Sequence, residues 1–456
     1  MLRIDSGNSR RDKRFNRRSF VQLGMAGMAS LGLSDLLRLR AQAATQSAKD
    51  TSVILIWLDG GPSHMDLYDL KPEATPERRG IWRPIPTNVP GIDISEMFPL
   101  QARCADKFSI IRSLHHGDGD HFGAAHRMLT GQGGVNTANQ PGKHPFVGAI
   151  ATKATGPRQS GVPANVALPF AASVGLRPGY FGGNYLGSQY HPFDINEDPN
   201  SPKFKVQRLQ MSEGMTVKRL EDRGGLLHYF DAHRRLLDQS GNCDAMTKFQ
   251  QQAFDLIAGG KAAAAFDLTR ETDAIRDRYG RNAWGQSALL ARRLVEAGCT
   301  FVTVHWGGWD HHWGLKPGME RFLPRLDQLA SALFEDLHDR GILKKTLVMI
   351  CGEFSRTPVI NDGGGGGPPL SKGTPGRDHW GKAMCCVIGG GGVKGGQIIG
   401  STDSRGEEPK DRPLTPGDLH ATMFHVLGVD PHTVNHDRKG RPNFAITEGD
   451  VIQDLF

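Results

Sequence analysis

The apolar residues of the chain gather in short, unbroken runs that are separated by polar and glycine-rich stretches. Five of these runs contain β-branched residues and are long enough for a strand: Val53–Asp59, Lys107–Arg112, Thr300–His305, Thr346–Cys351 and Ala383–Ile388. A continuous apolar run is typical of a strand that is covered on both faces. Helical patterns separate several of the runs, and this alternation predicts an α/β fold with a mostly parallel central sheet flanked by helices.

Helical spacing of apolar residues appears in four other parts of the chain. It predicts a short helix that ends at Met128–Gly131, helices across 215–298, a helix near Phe322–Arg340 and a final helix over Pro416–Leu427. Residues 132–205 are instead rich in glycine, proline and asparagine, with scattered aromatic residues. We expect them to form a long irregular insertion that covers one edge of a site, since long ordered loops are often functional lids.

The charge of the chain is concentrated at its N-terminus. Residues 1–43 hold nine basic and three acidic side chains, whereas the remainder carries 46 basic and 45 acidic ones. The net charge of +7 therefore belongs almost entirely to this leader. No basic face is left in the remainder to neutralise phosphates, so the sequence predicts no nucleic-acid partner.

The leader has the parts of an export signal. The pair Arg17-Arg18 follows a basic stretch, residues 20–33 are modestly apolar, and Ala41–Ala43 has the small-x-small form of a cleavage site. The paired arginines resemble a twin-arginine signal peptide, which the twin-arginine export machinery recognises. The apolar run is shorter than the ~20 residues that span a bilayer. A retained amphipathic anchor is the alternative.

These features predict a signal peptide over 1–43 and a single domain over 44–456, with no transmembrane segment once the signal is removed. We expect the protein to be exported to the periplasm, the cell surface or the medium. The chain has six cysteines, and none forms a Cys-x-x-Cys pair. The spacing therefore gives no support for a structural zinc knuckle.

Side chains that can bind metal occur where the predicted strands end. They are Asp59 after the first strand, His116–His121 after the second, Asp310–His312 after the third, Glu353 after the fourth, and Asp378-His379 before the fifth. In open α/β sheets, sites form beyond the carboxyl ends of the strands, so we expect these groups to converge. Taken singly, each has a structural alternative as a helix cap, an ion pair or a turn.

The order of these groups resembles the alkaline phosphatase/sulfatase superfamily. Arg127–Gly131 resembles the sulfatase segment that ends in Leu-Thr-Gly, and Asp418–Val429 resembles the C-terminal helix of sulfatases. A closer resemblance, over nearly the whole mature chain, is to a secreted twin-arginine family named only as domain of unknown function 1501. It rests on Trp57–Asp66, His116–His121, Trp306–Trp313, Gly352–Pro358, Asp378–Trp380 and Glu407–Pro413.

This resemblance implies the superfamily fold and one or two divalent metal ions, with zinc as the first candidate and manganese, calcium or iron as alternatives. It divides six residues between two metal sites: Asp59 and Glu353 in one, and Asp310, His312 and His379 in the other, with Asp378 as a ligand or as a group that orients His379. It brings no established substrate.

Two departures from the superfamily affect the expected chemistry. Phe354 stands where the superfamily often has a histidine ligand, and there is no Cys-x-Pro-x-Arg segment, which disfavours a formylglycine sulfatase. The nucleophile position falls at about His121, which is a candidate ligand, general acid or nucleophile, and Ser63 is a second candidate nucleophile. Arg356 and Arg377 are candidates to hold an anionic group.

The sequence therefore predicts an exported, metal-dependent hydrolase of a phosphate or sulfate ester, which acts on a small molecule or a polysaccharide. The alternative is a non-catalytic envelope protein of the same fold that binds a polysaccharide or a protein partner. The missing imidazole at Phe354 and the absence of a hydroxyl at His121 motivate this alternative.

Overall fold

The computed structural model describes residues 50–135, 140–206, 260–363, 372–437 and 439–456, together with five single positions between 209 and 256. The expected export signal over 1–43 lies outside the described residues, as do most of the residues in the first half of the helical stretch predicted at 215–298.

An eight-stranded central sheet organises the described part of the chain. Its strands are β1 Ser52–Asp59, β2 Ser109–Leu114, β3 Asn165–Leu168, β4 Phe193–Asp194, β5 Phe301–Gly307, β6 Thr346–Cys351, β7 Met384–Gly389 and β8 Ile398–Ile399. Their spatial order is β8-β2-β7-β6-β1-β5-β3-β4. β1 is parallel to both of its neighbours, and within this sheet β7 alone runs antiparallel to the strands beside it. The predicted mostly parallel α/β architecture is confirmed.

Nine α-helices are described. They are α1 His64–Leu67, α2 Pro99–Ala102, α3 His121–Thr130, α4 Val147–Thr155, α5 Lys261–Phe266, α6 Asp273–Tyr279, α7 Ala283–Ala297, α8 Leu315–Asp339 and α9 Pro416–Leu427. The bounds of α9 match the prediction, since a capping box between Thr415 and Asp418 fixes its start. Helix α8 begins at Leu315 rather than near Phe322, because Pro317 is tolerated in the first helical turn.

The described residues also form four two-stranded ribbons outside the central sheet. They pair Pro84–Pro86 with Asp93–Ser95, Ser355–Arg356 with His379–Trp380, Ser401–Thr402 with Pro409–Asp411, and Val434–His436 with Pro442–Phe444. The second of these ribbons matters for the site, because it fixes His379 opposite Arg356.

Strand β1 lies between two hydrophobic cores, which explains its unbroken apolar sequence. Ile54 and Ile56 pack on the side of α7 and α8, whereas Val53 and Leu55 pack on the side of α4 and α9. All four side chains are at most 4% exposed. Burial of an aliphatic side chain of this size contributes roughly 1.5–3 kcal/mol, so β1 is a rigid base for whatever follows Asp59.

The expected irregular insertion over 132–205 is not irregular throughout. It contains α4 and the strands β3 and β4, and β3 pairs in parallel with β5 through Val166 and Val302. The sequence pattern missed β3 because the strand has only four residues between two prolines, Pro163 and Pro169. These four residues form a strand because they pair with β5 in the folded structure.

In the described ranges, no helix combines the length and the apolar character that crossing a membrane requires.

Candidate metal centre at the carboxyl end of the sheet

The carboxyl ends of β1, β5 and β6 bring acids and histidines together. Asp59 lies opposite Gly307 in the register of β1 and β5, so the loop after β5 starts beside it. Gly60 then adopts φ +116°, and a Cβ at this position would lie 2.6 Å from the backbone nitrogen of Asp310. A larger residue would push the two loops apart, so Gly60 lets Asp310 approach the end of β1.

Asp59 and Glu353 are neighbouring carboxylates that are almost completely shielded from solvent, with 1% and 0% exposure. Both oxygens of Glu353 accept hydrogen bonds from the backbone N–H of Gly60, at 2.9 and 3.1 Å. Oδ2 of Asp59 accepts from the backbone N–H of Val174 at 2.6 Å and contacts His305 Nε2 at 3.1 Å. Oδ1 of Asp59 is buried and has no hydrogen-bond partner among the described residues.

This pair of acids fits a divalent cation. Burial raises the pKa of Glu353, the charge of Asp59 raises it further, and the hydrogen bond from His121 lowers it in part. The net pKa of Glu353 lies above its ordinary value. Buried carboxylates with an unpaired oxygen are costly unless a charge compensates them. Asp59 and Glu353 therefore form a donor set that zinc, manganese, calcium or iron would accept.

Asp310 is the centre of the second group of ligand-type side chains. Its Oδ1 lies 3.1 Å from His312 Nε2 and 3.4 Å from His379 Nε2, and the Arg356 guanidinium donates to the same oxygen. Burial alone would raise the pKa of Asp310, but the hydrogen bonds from the histidines and the charge of Arg356 hold it well below its usual range. Asp310 is therefore a stable anion and a good oxygen ligand.

His121 links the two groups. It is the first residue of α3, whose start is capped by Asp120, and its ring lies between two carboxylates. Nδ1 is 2.7 Å from Glu353 Oε1, and Nε2 is 3.3 Å from Asp310 Oδ2. Burial lowers the pKa of His121, but the two carboxylates outweigh burial and raise it to about 9. Ligand atoms of His121, Asp310 and His379 lie within 4.8 Å of one another, close enough for one metal ion.

Asp378 orients His312 and does not orient His379, the histidine that was expected. Its Oδ1 accepts from His312 Nδ1 at 2.7 Å, and this hydrogen bond directs His312 Nε2 towards Asp310. Hydrogen bonds to Asp310 and Asp378 raise the pKa of His312 despite its partial burial. His379 is held instead by Nδ1, which donates to the carbonyl oxygen of Gly119 at 2.8 Å. Asp378 thus fixes the tautomer and direction of His312.

Arg356 and Arg377 do not present free guanidinium groups to a substrate. Both are fully buried. Arg356 donates to the carbonyl oxygens of Gly60 and Gly61 and to Asp310, and Arg377 pairs with Asp66 at 2.9 Å and with three backbone carbonyls. The expectation that they hold an anionic group is wrong for the described state, because protein oxygens already occupy their donors. Arg356 instead holds the turn after β1, and Arg377 holds the segment that contains Asp66.

Ser63 is buried, and its hydroxyl has no partner among the described residues. Its neighbour His64 does not form a dyad with it. Nδ1 of His64 contacts Ser355 Oγ at 2.5 Å, and Nε2 donates to the carbonyl oxygen of Gly406 at 2.9 Å. Ser63 stays a candidate nucleophile without a base beside it.

Two groups that contact the carboxylate of Asp59 were not predicted from the sequence, namely the ring of His305 and the backbone N–H of Val174. His116, which was predicted to lie near the site, donates from Nε2 to the backbone carbonyl oxygen of Glu353 at 2.6 Å. His305 ended a predicted strand, so its position gave a usable signal. Val174 contributes through its backbone, and no side-chain pattern could have indicated it.

Phe354 packs against two histidines of the candidate centre. Its ring centroid lies 4.4 Å from that of His379 and 4.9 Å from that of His121. A Cβ on Gly61 would overlap the same ring at 2.4 Å. The phenyl ring thus packs the two histidines in place and supplies no ligand atom.

Several solved structures resemble the chain at low sequence identity. The PsFucS1 sulfatase from Pseudoalteromonas sp. is 13% identical, with 86% of this chain and 72% of that chain covered and a TM-score of 0.38. The phosphonate monoester hydrolase of Agrobacterium radiobacter is 11% identical, with 89% and 77% covered and a TM-score of 0.35. The corresponding hydrolase SpPMH from Silicibacter pomeroyi is 9% identical, with 88% and 76% covered and a TM-score of 0.35.

No curated protein sequence matches the chain. By contrast, the family described as "Protein of unknown function (DUF1501)" matches residues 50–456, which is nearly the whole of the sequence. The match includes every residue of the candidate metal centre. The chain therefore belongs to the DUF1501 family, as its sequence motifs predicted.

Proposed function

We propose that the protein is an exported, metal-dependent hydrolase of a phosphate or sulfate ester. The observation that carries this proposal is the buried Oδ1 of Asp59, which has no hydrogen-bond partner among the described residues and lies beside Glu353. The ring of His121 connects Glu353 to Asp310 and its neighbouring histidines. A buried pair of carboxylates beside a half-buried group of oxygen and nitrogen donors suits a metal-assisted hydrolase better than a structural core.

Two sets of residues would hold the metal ions. Asp59 and Glu353 would form one site, and Asp310, His312 and His379 the other, with zinc as the first candidate and manganese, calcium or iron as alternatives. When bound, such ions lower the pKa of a water or alcohol and offset charge on the leaving oxygen.

His121 is the proposed proton donor. Its ring nitrogens lie 2.7 Å from Glu353 Oε1 and 3.3 Å from Asp310 Oδ2, so the ring is placed between the two groups of ligands. From this position it can deliver a proton to a leaving alcohol oxygen and can take one back from an attacking water. Alternatively, the His121 ring acts as the nucleophile.

Metal analysis and turnover measurements test the proposal. Full-length protein would be purified from an exporting bacterial host, its zinc, manganese, iron and calcium counted, and its turnover of 4-nitrophenyl phosphate and 4-nitrophenyl sulfate measured. We expect bound metal and hydrolysis of at least one ester. Asp310→Ala should lower the rate by at least ~100-fold, whereas the exposed Asp411→Ala should not change it.

The proposal fails if the protein contains no metal and hydrolyses neither ester, and if Asp310→Ala changes neither its metal content nor its turnover. Its export part has a separate test. Replacing the twin arginines, with Arg17→Lys together with Arg18→Lys, should retain the protein in the cytoplasmic fraction. Unchanged recovery outside the cytoplasm would contradict a twin-arginine signal.

The rival function is a non-catalytic envelope protein that binds a polysaccharide or a protein partner. The packing of Phe354 against His121 and His379 favours it, because the phenyl ring beside these histidines supplies no ligand atom. Bound metal without turnover of either ester, together with retention on an immobilised polysaccharide, would support the rival and contradict a hydrolase.

A further inference from the structure

A cavity of about 170 Å³ lies beside the loop that caps Asp59. Ser173 forms part of its wall, and the next residue, Val174, donates its backbone N–H to Asp59 Oδ2 at 2.6 Å. Before the same loop, the ring of Phe170 packs against His305, with ring centroids 5.6 Å apart. The cavity and the candidate metal centre therefore share one loop.

The loop adopts a strained conformation that brings the two places together. Ser173 and Leu176 exchange backbone hydrogen bonds of 2.8 and 2.9 Å around a tight turn. Inside this turn Val174 has φ +47° and Gly175 has φ +76°. A positive φ is unfavourable for a β-branched residue, and such strain is concentrated at functional sites. The turn directs the N–H of Val174 at Asp59 and the Ser173 side at the cavity.

The cavity walls are mostly apolar, with a few polar groups. Ala171, Pro178 and Pro192 contribute apolar surface. The hydroxyl of Ser173 is fully buried and has no hydrogen-bond partner among the described residues. The ring of His191 accepts from Gly183 N–H through Nδ1 at 3.1 Å, so in the neutral ring Nε2 carries the proton and is a donor. Apolar walls with a few polar groups are typical of small-molecule sites.

The volume of the cavity and the charge of its wall limit the class of ligand that it can bind. A cavity of about 150 Å³ accommodates a benzene ring, so this one has room for a single six-membered ring. Arg177 also lines it, but this guanidinium lies 3.9 Å from Asp194 and donates to Asn196 at 2.7 Å. Since a carboxylate already balances Arg177, the wall suits a neutral ring with hydroxyl groups better than a second anion.

We propose that this cavity binds the sugar ring that carries the ester group, as a neutral pyranose. One face of the ring would pack on Pro178 and Pro192, and ring hydroxyls would pair with Ser173 Oγ and His191 Nε2. The proposal rests on the proposed function, because it identifies the alcohol part of the ester. It also gives the loop a role, since a bound ring would hold the turn that caps Asp59.

Sugar binding can be measured without any turnover. Saturation-transfer NMR would record the binding of the methyl glycosides of galactose, glucose and mannose to the full-length protein. We expect at least one to bind with millimolar affinity. Ser173→Ala should weaken it about fivefold, the factor expected for one neutral hydrogen bond. Ala171→Phe, which fills the cavity, should abolish binding, and the exposed Ser188→Ala is the matched control.

The outcomes separate this proposal from the proposed function. Sugar binding that is lost in Ala171→Phe supports the proposal even if no ester is hydrolysed. Ester hydrolysis without binding of any glycoside overturns it and leaves the hydrolase intact. Glycoside binding that neither Ser173→Ala nor Ala171→Phe changes also overturns it, as does binding of 4-nitrophenol in place of every glycoside, since the cavity would then take an aromatic alcohol.

Discussion

At the scale of single residues, the candidate centre depends on which polar atoms already have a partner. Asp59 uses Oδ2 to accept from Val174 and to contact His305, and its Oδ1 has no partner among the described residues. Arg356 is the opposite case, because it is fully buried and donates to three backbone carbonyls and Asp310. An atom without a partner is available to a ligand, whereas a saturated group supports its neighbours.

Arg356→Lys tests the supporting role of Arg356. A lysine cannot reproduce the planar fork that reaches Gly60, Gly61 and Asp310 together, so buried acceptors lose their donors. We expect the free energy of unfolding to fall by about 2–4 kcal/mol, measured by urea denaturation. If Arg356 only held a substrate anion, the variant would be as stable as the wild type and would change KM alone.

Val174→Asn tests the strained turn. Asparagine tolerates a positive φ and is favoured before glycine in this kind of turn, and it keeps the N–H that caps Asp59. The variant should therefore be more stable than the wild type by about 1 kcal/mol. Val359→Asn is the control, since Val359 is similarly exposed, at 40% against 36%, and lacks a positive φ. Equal effects at both positions would contradict the strain.

At the scale of elements, the position of His121 depends on the helix that begins with it. Helix α3 is capped at its start by Asp120 and ends at Gly131 with φ +73°. Near that end, His420 of α9 donates from Nε2 to the carbonyl oxygen of Met128 at 2.8 Å. A Cβ on Gly131 would approach the ring of His420 to 3.0 Å, so the two helices fit closely. Helix α9 therefore holds the end of α3 opposite to His121.

His420 should make this contact between helices sensitive to acid. Burial lowers its pKa to about 4, so the unfolded chain binds a proton more readily than the folded one between about pH 4 and the ordinary value of 6.5. Stability from the neutral ring is complete above pH 6.5 and is lost as the pH falls towards 4. His420→Gln cannot titrate, and its amide can still donate to Met128.

Urea denaturation at pH 7 and pH 4.5 measures the effect. The wild type should lose more stability between these values than His420→Gln, by on the order of 1–3 kcal/mol. His432→Gln, which replaces an exposed histidine, should behave like the wild type. Equal losses in all three proteins would show that His420 does not titrate in this range.

At the scale of the whole molecule, metal binding should be coupled to folding. Asp59 and Glu353 come from parts of the chain that are far apart in sequence and are brought together only when β1 and β6 pair. Their mutual repulsion is an internal cost of the folded state, and a cation bound there would offset it. A ligand that binds the folded state alone at 100 times its Kd stabilises it by about 2.7 kcal/mol.

Asp59→Asn distinguishes the effect of metal binding on stability from the effect of the repulsion between Asp59 and Glu353. In excess chelator the variant should be as stable as the wild type or slightly more stable, because the repulsion with Glu353 is removed. With zinc in excess the order should reverse, since only the wild type keeps the ligand. Thermal unfolding with and without zinc measures both effects, and Asp411→Asn is the exposed control. A zinc-dependent rise in Tm that is as large in Asp59→Asn as in the wild type would show that Asp59 does not bind the metal.

The sequence by itself determined five of the eight strands of the sheet and the set of groups at its edge. Unbroken apolar runs with β-branched residues predicted β1, β5 and β6 because burial on both faces leaves a local pattern. Parallel strands end at one edge, so the residues that follow them had to lie near one another. Asp59, Asp310 and Glu353 could therefore be placed in one region before any contact was known.

Only the tertiary structure decided how these groups pair. Four residues of β3 became a strand through pairing with β5, Val174 reached Asp59 through its backbone, and His121 came to lie between two carboxylates. Each of these contacts joins positions that are far apart in the sequence and depends on loop geometry. The physical reason is that burial leaves a local pattern of apolar residues along the chain, whereas a hydrogen bond between distant residues leaves none.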